Sequence, residues 1–239
     1  MIKVVTSEER HTARSGPLRS EFSFSFAEYV DPGNAHFGCL LALNDHMLAP
    51  GRKLTPHHHR DLEIVTYVIS GTMGYSGEAG RTEILKEGAF QTLSAGSGIE
   101  HGEFNPSPDE PVRYLQLWFL PDRKNLPPSC HSRNHSRRER TGALHPVVTS
   151  AAAGEGDGLQ IHQEVKLFVP VLADDKEIVV PSEKRRQHLF QISGHTEFRS
   201  GDQHFPLGPG DAARIQSGHD LVIRKTGEEP AELMIIDMP

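Results

Sequence analysis

The chain has 239 residues, 17 prolines, 22 glycines and a formal net charge of −7 at pH 7. That length allows one large domain or two of about 100–150 residues, each able to bury a real core. The negative balance argues against a nucleic-acid-binding domain, no apolar run approaches the roughly 18 residues of a membrane span, and the opening stretch Met1 to Arg10 has no apolar signal core. A cytoplasmic, monomeric protein without nucleic-acid or membrane contacts is therefore expected. Cys39 and Cys130 stand far apart, which excludes a disulfide framework and a thiolate metal site and fits a reducing compartment.

The abundance of turn residues and the scarcity of helix-period stretches predict an all-β protein. After polar opening turns, Phe22, Phe24 and Phe26 alternate with Ser23 and Ser25, the pattern of a strand with one aromatic face turned to a core. Phe37 to Asn44 reads as a fully buried strand. Ala49-Pro50-Gly51-Arg52 reads as a turn delivering the chain to Thr55-Pro56-His57-His58-His59-Arg60-Asp61-Leu62-Glu63. A strand-like run, Ile64 to Ile69, and the turns at Ser70-Gly71 and Glu87-Gly88 separate that cluster from Gly98-Ile99-Glu100-His101-Gly102-Glu103-Phe104.

Side chains two apart on a strand share a face, so His57 pairs with His59 and His101 with Glu103. Two such strands brought together converge three imidazoles and one carboxylate, a donor set for a divalent transition metal that leaves open positions for chemistry. A structural zinc site prefers closed, cysteine-rich coordination, and no cysteine lies near either cluster. His58 points to the opposite face from its neighbours. Glu63, four residues after His59, is also within reach of such a metal, and spacing does not separate it from Glu103.

Val112 to Leu120 alternates again, with Tyr114, Gln116 and Trp118 on one side. Residues 126–158 contain Pro127-Pro128, part of a basic stretch (Arg133, Arg137, Arg138, Arg140) and Ala151-Ala152-Ala153-Gly154-Glu155-Gly156, the composition of a solvated linker crossing the surface between a domain at 1–125 and another at 159–239. The last 80 residues repeat the first unit. Phe190-Gln191-Ile192-Ser193-Gly194 echoes Tyr67-Val68-Ile69-Ser70-Gly71, Gly208-Pro209-Gly210-Asp211 echoes the turn at Gly88, and Glu229-Pro230 echoes Glu110-Pro111. Carried over at these offsets, His57, His59, His101 and Glu103 fall on Val180, Ser182, Ile223 and Lys225. The repeated scaffold is expected to lack the metal chemistry, leaving one metal per chain.

Gly51-x5-His57-x-His59-x3-Glu63, with Gly71 after it and one extra residue before that glycine, resembles the first motif of the cupin superfamily, and Gly88 to Asn105 resembles the second. More narrowly, Phe24 to Pro32, Asp61 to Val68, Ala95 to Asn105 and Leu115-Gln116-Leu117-Trp118 resemble the pirin family. Pro17-Leu18-Arg19-Ser20 and His58 depart from that family's usual Trp-Leu-Asp-Ser and His-Pro-His. The resemblance implies two tandem cupin barrels, a bicupin. It also implies an iron-like metal held by His57, His59, His101 and Glu103, with Glu63 outside the ligand set. Iron(II) is the metal so implied, with nickel, cobalt, manganese, copper and zinc as alternatives. Two functions follow from it. One is a quercetin 2,3-dioxygenase-like activity that opens a flavonol with O₂ and releases CO, with Glu103 as general base. The other, after animal pirins, is a non-catalytic, metal-dependent redox sensor or transcription cofactor.

Overall fold

The repeat is clearest at the same tight corner between two strands in both halves of the computed structural model, which describes residues 1–77, 80–154 and 158–239. Glu63–Ser70 turns into Thr72–Ser76 through Gly71 at φ +80°, and Arg186–Ser193 turns into His195–Ser200 through Gly194 at φ +66°. A Cβ at Gly71 would lie 2.7 Å from the Pro111 carbonyl oxygen, and one at Gly194 would lie 2.6 Å from that of Pro230. Both the left-handed φ and the close approach of a neighbouring backbone demand glycine. The echoing Glu-Pro pairs are therefore the partners of echoing turns.

At each corner the chain passes from a larger sheet to a smaller one, and each such pair of sheets forms a barrel, antiparallel throughout except for the parallel pair Pro146–Ser150 and Leu159–Ile161 in the second. In the first barrel a seven-stranded sheet runs in the order Ser129–Asn134, Ala89–Ser94, Glu63–Ser70, Val112–Phe119, Leu40–Leu48, Leu18–Phe22, His11–Ser15. It packs on a four-stranded sheet ordered His57–His59, Ile99–Phe104, Thr72–Ser76, Thr82–Lys86. The second barrel repeats the plan, with Ala212–Gln216, Arg186–Ser193 and Ala231–Met238 neighbours in the larger sheet. Its smaller sheet is ordered Ile178–Val180, Leu221–Thr226, His195–Ser200, Gln203–Leu207. This is the all-β, two-barrel arrangement expected.

The larger sheets pack back to back. From the first barrel Val65, Tyr67, Leu115, Leu117 and Phe119 point out of the barrel; from the second Phe190, Ile192, Met234, Ile236 and Met238 meet them in one buried cluster. The alternate residues fill the barrels themselves, for instance Val68, Val112 and Tyr114 in the first and Leu189, Leu233 and Ile235 in the second. Burial on both faces explains why Ile64 to Ile69 and Leu233 to Ile236 do not read as apolar–polar alternation. Each aliphatic or aromatic side chain so enclosed contributes about 1.5–3 kcal/mol.

Several stretches lie elsewhere than the pattern suggested. The strand expected through Phe26 ends at Phe22, and the three phenylalanines do not share a face. Phe24 is wholly buried between the barrels, while half-buried Phe26 packs on Phe22, 4.9 Å away, and opens a turn to Tyr29 that contains Ala27 at φ +51°. The buried strand expected from Phe37 starts at Leu40, and Phe37 and Cys39 are half-buried against the inter-barrel cluster. Residues 126–158, apart from 155–157, which lie outside the described residues, are woven into both barrels. Ser129–Asn134 pairs with Ala89–Ser94, and Pro146–Ser150 pairs with Lys166–Phe168. Arg140 is not solvated but buried: its Nη1 donates to Glu232 at 2.7 Å and to the Val169 carbonyl at 2.8 Å, and its Nη2 to the Tyr67 hydroxyl at 3.1 Å. Ile2–Val5, from the other end of the sequence, pairs with Ala212–Gln216 of the second barrel.

Candidate metal centre

The centre forms where two short strands of the first barrel's smaller sheet run antiparallel. His57–His59 pairs with Ile99–Phe104 in a register that sets His57 opposite His101, His58 opposite Glu100 and His59 opposite Ile99. Alternation then sends His57, His59, His101 and Glu103 toward the barrel interior. The outward pair, His58 and Glu100, meets in solvent with His58 Nε2 2.7 Å from Glu100 Oε2. His58 thus faces away from the centre, as expected.

The three inward rings converge, with centroids 4.8 Å (His57–His59), 4.6 Å (His57–His101) and 5.1 Å (His59–His101) apart. One nitrogen from each lies within 4.8 Å of the others. The His57 Nδ1–H donates to the Thr55 carbonyl at 3.1 Å, which fixes the tautomer and leaves Nε2 as an electron-pair donor. Burial, reinforced by His57, pushes the His59 pKa down to about 4. Burial with His57 and His59 pushes that of His101 down to about 3. Both are therefore neutral near pH 7, the form that binds metal.

Glu103 is 3% exposed, and its Oε1 lies 3.9 Å from His101 Nδ1. Burial raises its pKa against the opposing pull of His57 and of the Gln116 hydrogen bond. His59 Nε2, both nitrogens of His101 and Glu103 Oε2 are buried without a hydrogen-bond partner. Orphaned buried donors and acceptors cost free energy, and here they gather in one place. Three imidazoles and a carboxylate fit a divalent transition metal, so the residues present match the group that the motif implies.

Glu63, the carboxylate that spacing left in competition, lies on the other face of its strand. It is fully buried toward the second barrel, accepting from Ser94 Oγ at 2.7 Å and from the His162 N–H at 3.1 Å. It ties the barrels together and does not point into the first one.

Four residues beside the centre were given no site role from the sequence, although Phe26, Gln116 and Trp118 lie in the family-like motifs. Trp118 stands edge-on to His59 at 4.9 Å, and Phe26 stands edge-on to Trp118 at 4.8 Å, so an aromatic wall flanks the His59 side. Tyr75, opposite Glu103 in the strand pairing, stacks on His101 at 5.6 Å. Gln116 donates to Glu103 Oε1 at 2.9 Å. The alternation of Tyr114, Gln116 and Trp118 was visible, but only the pairing of Val112–Phe119 across the barrel gives that face its meaning. The alternation through Phe26 pointed to a core face instead, because the chain leaves the sheet at Phe22, before reaching it.

The chain matches the Pirin family over residues 5–119 and the quercetinase C-terminal cupin domain over residues 147–238. Quercetin 2,3-dioxygenase of Escherichia coli (strain K12) is 35% identical over 240 residues, covering 100% of this chain and 99% of that protein. A pirin-like protein of Caulobacter vibrioides is 32% identical over 226 residues, covering 94% of each. The crystal structure of the bacterial pirin YhhW from Escherichia coli in complex with nickel(II) superposes with a TM-score of 0.90 at 29% identity, covering 100% of this chain and 99% of that one.

Proposed function

The chain belongs to the pirin family of two-barrel cupins, and from that premise we propose that it is a metal-dependent dioxygenase of the quercetin 2,3-dioxygenase type. In this reading it opens a flavonol-like substrate with O₂ and releases CO. The observation that carries the proposal is the convergence of three imidazoles and a buried carboxylate with orphaned donor atoms, beside an aromatic wall.

His57, His59, His101 and Glu103 would hold one divalent transition metal, iron(II) in the first instance. When bound, such a metal supplies Lewis-acid polarisation of a substrate oxygen. The remaining work belongs to the protein. Glu103, whose proton affinity is raised by burial, takes the proton of the substrate hydroxyl as general base. Trp118 and Phe26 offer faces and edges suited to a planar aromatic ring. The apolar residues around them, including Ile64, Leu93 and Ile99, exclude water from the activated substrate.

The test is metal analysis of the purified protein followed by O₂ uptake and CO release over a panel of flavonols, normalised to bound metal. Glu103→Gln keeps an oxygen donor but removes the base, so turnover per metal should fall on the order of 10²–10⁴-fold. Glu63→Gln, on the far face of its strand, should leave turnover per metal near the parent value. Unchanged turnover per metal in Glu103→Gln would remove Glu103 as base. No turnover of any flavonol by the metal-loaded parent would overturn the enzymatic reading in favour of a sensing or binding role.

A further inference from the structure

Gln116 sits inside the first barrel with both ends of its carboxamide engaged. Its Nε2 donates to Glu103 Oε1 at 2.9 Å, and its Oε1 accepts from the Trp118 indole Nε1–H at 3.1 Å. The direction of this chain is fixed by chemistry. An indole nitrogen can only donate and a carboxylate can only accept, so the amide between them must present oxygen to Trp118 and nitrogen to Glu103. Flipping the amide would set oxygen against carboxylate oxygen and N–H against N–H, losing both bonds. Gln116 is 5% exposed and Glu103 3%, so the charge-assisted bond between them is strong and its loss is felt in full. The result is asymmetric: Glu103 Oε1 is tied, and Oε2 has no hydrogen-bond partner.

We propose that Gln116, locked by Trp118, is the positioning residue of this centre, holding the Glu103 carboxylate in the rotation that leaves Oε2 free for the metal or the substrate proton. The lock begins in the aromatic wall itself, since the Trp118 ring also stands against His59 and Phe26. Trp118 thereby joins the surface that meets a planar ligand to the oxygen that acts on it. The proposal rests on the reading of Glu103 as part of the metal centre.

The experiment uses cobalt(II) as the probe and reads two properties that need no turnover: affinity, by competition with a chromophoric chelator, and the visible absorption bands of the bound ion. Gln116→Leu should weaken cobalt binding about 10–100-fold, the usual effect of removing a group that orients a ligand, and should shift the bands. Trp118→Phe keeps a ring against His59 and Phe26 but removes the indole N–H. It should shift affinity and bands in the same direction by a smaller amount. Because both act along one path, the double variant should bind no worse than Gln116→Leu alone. Additive losses, or parental affinity and bands in Gln116→Leu, would overturn the lock. Should Gln116→Leu fail to fold, parental affinity and bands in Trp118→Phe would overturn it by itself. If Glu103→Gln is also silent in this assay, the placement of Glu103 in the centre falls together with the lock; if only Gln116→Leu is silent, the lock falls alone.

Discussion

Strand for strand, the two barrels hold opposite interiors. In the first, His57 lies opposite His101; at the matching register of the second, Ile178 lies opposite Ile223, and Val180 takes the place of His59. Ile178, Val180 and Ile223 are at most 7% exposed and belong to one apolar cluster with Leu189, Phe198, Leu221 and Ile235. The first barrel instead keeps buried nitrogens and a carboxylate oxygen without partners at the same level. One scaffold is thus filled in two ways, with the second interior contributing stability and the first keeping polar atoms whose burial opposes it. The shared cluster between the larger sheets lets the filled barrel support the other.

The most drastic way to break this contrast is to exchange the interiors. Ile178→His, Val180→His and Ile223→His together bury three imidazoles without built partners and remove aliphatic contacts. Each replacement should cost about 2–5 kcal/mol, so the sum should approach or exceed a typical domain stability of about 5–15 kcal/mol. The variant should lose its folded circular dichroism signature, whereas His57→Ile, His59→Val and His101→Ile should fold and bind no metal. A smaller step compares matched single sites. His101→Leu should lower metal affinity at least about 10²-fold while leaving the metal-free protein as stable as the parent in urea, and Ile223→Ala should cost about 2–5 kcal/mol in the same titration. Metal analysis of the parent should give one ion per chain, and a second ion bound within residues 159–239 would end the comparison.

Acid sharpens the contrast more gently. Each barrel has a buried histidine besides the candidate ligands: burial pushes the His46 pKa down to about 4, and burial with Arg214 and Arg10 pushes that of His188 down to about 3. Both stay neutral in the fold while the unfolded chain takes up protons near pH 6.5, so stability must fall as pH drops below that value. Between pH 6.5 and 5 the loss should be on the order of 2 kcal/mol per buried histidine. In the metal-free protein His59 and His101 add to it. Urea midpoints at the two pH values check this, and His188→Leu should remove the second barrel's share. The smallest effect belongs to His58→Pro. Because His58 faces solvent beside Glu100, metal content should be unchanged, and loss of metal in this variant would show that the outward histidine takes part in binding.

The candidate site was legible because a two-residue spacing on strands already says which side chains share a face, and because three histidines and a carboxylate are a rare coincidence. Glu63 was not separable by spacing, since four residues leave the strand's start undefined; the pairing with Ser94 and Phe119 settles its face. The repeat was legible from its glycines, which backbone geometry forces, but the counterparts of His57 and His59 came out two residues late. The loop between that short strand and Arg186–Ser193 is longer in the second barrel, so an offset taken from the Gly71 and Gly194 turns slips before it reaches Ile178–Val180. Residues 126–158 misled for a different reason. Polar composition marks exposure on average, but Arg140 is buried because Glu232, Tyr67 and two backbone carbonyls satisfy it, partners that lie 29 to 92 positions away or in an adjoining turn.

The pairing of Ile2–Val5 with Ala212–Gln216 also bears on how the protein is made. On the ribosome the residues of the first barrel emerge early, yet this strand has no sheet to join until some two hundred further residues have been synthesised. Its edge waits unpaired, and at about 5–20 residues per second that wait lasts on the order of ten seconds or more. Closure of the second barrel then depends on an element made some two hundred residues earlier, a contact of very long sequence separation that slows the last stage of folding.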